Sequence, residues 1–92
     1  MQSETAEYNR VNDMLTTAMD IGQQMLMTGA DVTRVEDSVS RICRRFDVDD
    51  VQVFCIASLL QASVRMRDGR YCIQMRRIFT SDNNLARLEE LN

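Results

Sequence analysis

Apolar residues recur at three- and four-residue steps in the first half of the chain and at two-residue steps further on. Val11, Leu15, Ala18, Gly22, Met25 and Leu26 share one face of a helix predicted over Asn9–Thr28, and Met14, Met19 and Ile21 widen that face. Gly22 sits mid-helix, where it costs about 1 kcal/mol relative to Ala, and a close helix crossing would explain it. Gly29 follows as a C-cap. A second helix starts at once, with Asp31 or Thr33 as N-cap and Glu36 at capping-box spacing from Thr33. Its apolar stripe is Val32, Val35, Val39, Ile42, Cys43 and Phe46. The short link through Gly29 and Ala30 makes the two helices neighbours.

After the acidic loop Asp47–Asp50 the period becomes two. Val51, Val53 and Cys55 alternate with Gln52 and Phe54, and Ala62, Val64 and Met66 with Ser63, Arg65 and Arg67. Asp68-Gly69 signals a two-residue type I′ hairpin. The return strand alternates Tyr71, Ile73 and Met75 with Cys72, Gln74 and Arg76. Ile56–Leu60 holds neither Gly nor Pro, so the first turn has no local signature and a bulge or bent strand is one solution. Ser81 or Asp82 caps a last helix with Leu85, Leu88 and Leu91 on its apolar side. The expected fold is α+β: two N-terminal helices, a three-stranded antiparallel meander and a C-terminal helix, in the order α-α-β-β-β-α. Apolar positions would face the helices. The outer face would carry Gln52, Ser63, Arg65, Arg67, Gln74 and Arg76.

Ninety-two residues make one domain, 1–92, with a modest core. With no Trp and seven Met, flexible side chains must fill much of it. There is no His, which removes imidazole from metal binding and proton transfer. Cys43, Cys55 and Cys72 are widely spaced among apolar neighbours, as buried, reduced thiols would be. No cofactor, metal site or catalytic residue is expected, and the chain is read as not being an enzyme. No apolar run approaches the roughly 18–20 residues that span a bilayer. The chain thus reads as a soluble cytosolic polypeptide, and its net charge of −3 argues against nucleic acid as a partner.

The charge is uneven. Residues 51–79 carry five Arg against Asp68 alone. Two readings stand: acidic helices neutralise a basic sheet within the fold, or Arg65, Arg67, Arg76 and Arg77 form a basic surface that meets anionic lipid headgroups or another anionic partner. Asp31, Thr33, Arg34, Glu36 and Asp37 cluster in the first turns of the second helix. There, acids are favoured by about 0.3–1 kcal/mol each and Thr33 and Glu36 fit a cap. The same cluster could reach a ligand through Arg34. A hydrolytic site would need a partner such as Ser58 or Ser63, because Glu36 and Asp37 project about 100° apart.

The stretch Thr28–Arg45, TGADVTRVEDSVSRICRR, resembles a segment of threonine/serine exporter (ThrE-like) family proteins. There a small-residue turn and an acidic-x-Thr-x-Arg-Val-Glu pattern open a helix. Gly29, Ala30, Asp31, Thr33, Arg34, Val35, Glu36 and Asp37 occupy the matching positions. Val51–Phe54 and Tyr71–Ile78 look like the family's first and third strands, and Asn84–Asn92 is similar to the start of its helix leading to the membrane. The chain departs from the family at Cys55–Leu59, where a Thr-Pro-Thr-Gly-like turn is usual.

The resemblance implies a cytosolic accessory or regulatory domain of an integral inner- or plasma-membrane exporter of threonine, serine or similar small amino acids. Its expected partners are membrane-embedded exporter segments in the same or another chain, and a second copy of itself. Small-molecule sensing, a hydrolase-like activity at Arg34, Glu36 and Asp37, and a plain protein-interaction module remain as alternatives.

Overall fold

The computed structural model describes residues 2–79, with side chains from Thr5 onward. Two helices, α1 (Gln2–Met27) and α2 (Val32–Arg44), precede strands β1 (Val48–Ile56), β2 (Leu59–Met66) and β3 (Tyr71–Arg77). The strands form an antiparallel meander in the order β1-β2-β3. Both helices pack on one face of the sheet, α2 over β1 and α1 over β2 and β3. The described architecture is α-α-β-β-β, which corrects the six-element order expected from sequence. The last helix of that expectation, with Leu85, Leu88 and Leu91, lies outside the described residues.

Local chemistry accounts for the connections. At the end of α1, Gly29 adopts φ +97°, its N–H donates to the Leu26 carbonyl, and the Ala30 N–H donates to the Met25 carbonyl at 2.9 Å. This pair of bonds is the Schellman motif, which a residue with a Cβ enters only with strain. Asp31 then caps α2, its Oδ1 accepting from the Arg34 N–H at 3.0 Å. The Thr33–Glu36 capping box does not form, because Asp31 already holds the N-cap and Glu36 turns to the sheet.

The helices cross at Gly22. A Cβ there would lie 2.7 Å from Val39 Cγ2 and 2.8 Å from Leu60 Cδ2, so only glycine lets α1 approach α2 and β2 this closely. Around the crossing, Leu15, Ala18, Met19, Val35, Val39, Cys43, Leu60, Ala62, Val64 and Cys72 are completely buried.

Two features of the sheet differ from expectation. The β2–β3 connection is not a type I′ turn. That turn needs positive φ at both central residues, and among the described residues only Gly29 and Gly69 have it. Instead the Gly69 N–H donates to the Met66 carbonyl, and the Met66 N–H to the Arg70 carbonyl at 2.7 Å. This is a three-residue loop with Gly69 in the left-handed position of a bulge.

The second difference is the facing of β3. Cys72, Gln74 and Arg76 point to the helices, and Tyr71, Ile73 and Met75 point away. Polar partners on α1 make this stable. Gln74 Nε2 donates to Thr16 Oγ1 at 2.8 Å and to Asn12 Oδ1 at 3.2 Å. Arg76 Nη1 donates to Asp20 Oδ1 and Gln23 Oε1, both at 2.8 Å. The β1–β2 turn is the two residues Ala57-Ser58, between the paired Ile56 and Leu59.

Candidate functional site

The sequence cluster on α2 divides in the structure. Asp31 is consumed by the helix cap. Arg34 is exposed and makes no ion pair among the described residues. Asp37 is also exposed and pairs with Arg41 at 3.0 Å. Thr33, Glu36 and Asp37 line one cleft of about 380 Å³ between α2 and β1, completed by Ser40, Val51, Gln52 and Val53. Ser58 and Ser63 do not contribute to it. Ser58 sits in the β1–β2 turn, where its carbonyl accepts from the Ile78 N–H, and Ser63 lies on the opposite face of the sheet. Sequence reasoning missed Ser40. Helical spacing could have found it, since Thr33, Glu36 or Asp37, and Ser40 follow an i, i+3/i+4, i+7 pattern.

The cleft opens on the free edge of β1. Glu36 Oε2 accepts from the Cys55 backbone N–H at 2.8 Å. One turn beyond Ser40, Arg44 Nη2 donates to the Val51 carbonyl at 3.1 Å, and its Nε donates to Ser40 Oγ. In an antiparallel ladder, alternate residues turn their backbone groups toward and away from the neighbouring strand. Cys55 and Val51 turn theirs toward α2, so Val53, between them, presents its N–H and C=O on the same side. The floor of the cleft therefore offers a backbone donor and acceptor side by side, walled by two carboxylates and two hydroxyls.

The cysteines supply no nucleophile here. All three are buried and unpaired. Burial pushes the Cys43 thiol up to about 11, outweighing the opposing pull of Arg44. Burial likewise raises Cys55, with the nearby Glu36 charge adding to it, and burial raises Cys72. The thiolate, which is the reactive form, is thus disfavoured near neutral pH.

The expected basic surface does not assemble. Arg76 is turned inward to Asp20 and Gln23. Arg67 pairs with Asp47 at 2.6 Å. Arg65 lies across from Asp50 in the β1–β2 register, and Arg77 stands over the Phe79 ring at 5.5 Å. These four arginines are spread over both faces and an end of the sheet, mostly beside acids or polar groups of the same fold.

No helix among the described residues is long and apolar enough to cross a membrane. No curated protein and no solved structure matches the chain. Residues 16–92 match the family described as "putative threonine/serine exporter". That span contains the Gly22 crossing, the Gly29–Asp37 segment, the cleft and all three strands. The chain belongs to the threonine/serine exporter family.

Proposed function

We propose that this chain is an accessory, regulatory domain on the cytoplasmic side of an inner- or plasma-membrane exporter of threonine, serine or related small amino acids, and that translocation itself is carried by membrane-embedded segments of the same or a partner chain. The observation that carries this reading is the family match over a folded helix–sheet unit whose described helices include no membrane span. Such a unit can couple to a transporter by binding, but it offers no apolar path through lipid. The test is export of labelled threonine and serine from loaded cells, with the exporter made with and without residues 1–92. Transport that persists but loses its dependence on the internal amino-acid level supports the reading. Transport by the 92-residue chain alone in vesicles would sink it.

The cleft favours a specific form of that regulation. A small zwitterionic amino acid would place its carboxylate on the Val53 N–H and its ammonium against Glu36, Asp37 and the Val53 carbonyl. Ser40 and Thr33 could bond a side-chain hydroxyl. The domain would then sense the solute rather than chemically alter it. Titration with threonine and serine, followed by amide shifts of Val53 and Cys55, tests this. Shifts weakened by Asp37→Asn support sensing, and flat titrations into the millimolar range remove it for these ligands.

A further inference from the structure

The outer face of the sheet carries large apolar side chains that no other described element covers. The pairing register arranges it in rows across β1, β2 and β3: Asp50, Arg65 and Tyr71; Gln52, Ser63 and Ile73; Phe54, Gln61 and Met75; Ile56, Leu59 and Arg77. Phe54, Ile56, Tyr71, Ile73, Met75 and Phe79 are between 44% and 61% exposed. At the end of the face that holds Ile56, Leu59 and Phe79 there is a hollow of about 420 Å³.

We infer that this face is the contact surface for a second copy of the chain, two sheets packing face to face with the helices outside. Area is the first argument. Phe and Tyr side chains offer about 150–250 Å² each, and Ile and Met fall at or below the low end of that range, so these six at roughly half exposure leave on the order of 500 Å² uncovered. That is toward the upper end of the largest patch on a typical monomer, about 300–600 Å². With the intervening Leu59, Gln61 and Ser63, the face approaches the ~800 Å² per partner of a standard interface.

Charge is the second argument, and it selects the occupant. Arg65 is matched by Asp50 in the same row, and its neighbour Gln52 donates to Asp50 Oδ2 at 3.0 Å. Arg77, at the opposite end, is the one remaining charge in the four rows. The face is therefore apolar and nearly neutral. An anionic lipid surface would gain little from it and would be repelled by Asp50. A second copy meets no such penalty. Laid with its strands reversed, it sets each Arg77 against the other copy's Tyr71 ring, a cation–π arrangement. The same placement puts the Ile73 row over the Met75 row. Two three-stranded sheets stacked this way form a β-sandwich core.

Sedimentation of the 92-residue chain from micromolar to millimolar concentration tests the inference. A reversible monomer–dimer equilibrium is expected. Ile73→Glu should weaken it about tenfold or more, as truncation or charging of a central contact residue does. Ser63→Arg, which places like charges at the centre of both copies, should do the same, and Asp13→Asn on the exposed side of α1 should leave it unchanged. Far-ultraviolet circular dichroism of each variant checks that it is folded, and Ser63→Arg keeps the test decisive if Ile73→Glu does not fold. A strict monomer at millimolar concentration overturns the inference. So does a dimer indifferent to both substitutions, or a monomer that binds anionic vesicles through the same residues.

Discussion

On the helix side of the sheet, Leu60, Ala62, Val64 and Cys72 are fully buried, whereas Phe54, Ile73 and Met75 on the other side stay more than half exposed. β3 supplies residues to both sets. What separates them is not hydrophobicity, since Ile73 is more apolar than Gln74, the next residue along. It is what lies above. α1 sets a polar stripe, Asn12, Thr16, Asp20 and Gln23, over β3, and that stripe satisfies Gln74 and Arg76. A buried polar group with partners is tolerated at little cost, while an unpartnered one is expensive. The inner face is thus defined partly by hydrogen bonds, and the apolar residues of β3 are left outside.

Substitutions can break this comparison. The largest effect is expected from Leu60→Ala, which opens a cavity beneath Gly22 and should cost about 2–5 kcal/mol in urea unfolding. Gly22→Ala comes next. Its new methyl would press on Val39 and Leu60, and overpacking of this kind costs about 1–3 kcal/mol. Gln74→Ala strips the bonds to Asn12 and Thr16 and should cost on the order of 1 kcal/mol. If it instead proves neutral, the polar stripe does not set the facing of β3. Ile73→Ser, measured on dilute protein, should stay within about 0.5 kcal/mol, as exposed positions do. A larger loss would mean that the outer face is already covered in the single chain.

The smallest effect expected is a pH response of the β2–β3 hairpin. The Arg70 backbone N–H, and after it the Arg70 side chain, donate to the Asp68 carboxylate and hold its pKa below the usual 3.8. A depressed carboxylate stabilises the folded state above its unfolded value, and that contribution is lost as pH falls through the folded one. The protection of the Gly69 and Arg70 amides, taken relative to their intrinsic exchange rates, should therefore fall only below about pH 4. Unchanged protection down to full protonation would show that the Gly69 bulge alone shapes the turn.

Much of this was legible in the sequence. Gly29 announced a helix end for a local reason, its positive φ, and Gly22 announced a close crossing whose partners, Val39 and Leu60, only the tertiary fold supplies. The three strands were visible from their period. The facing of β3 was not, because alternation gives two faces and only the partner chosen by long-range packing says which is inner. The hairpin type was missed for a related reason: Asp68-Gly69 suits several loop lengths, and the count was set by where Met66 and Arg70 pair. The site was half legible. Thr33, Glu36 and Asp37 do line the cleft, but its floor is backbone, the edge of β1, and a backbone donor at Val53 leaves no mark in the letters. The even spread of arginines was equally hidden, since Arg76 was assigned outward by the same alternation.

The bonds from Glu36 to Cys55 and from Arg44 to Val51 have a consequence for growth. A strand edge is a template on which copies of a chain can add without limit, as a monomer adds to a filament. α2 occupies two of the template's positions along β1 with its own side chains, so that edge is a poor place for a further strand to start. A sheet blocked on one side cannot propagate in both directions. Any edge-to-edge pairing of the described strands would therefore fall to β3, where it closes after two copies.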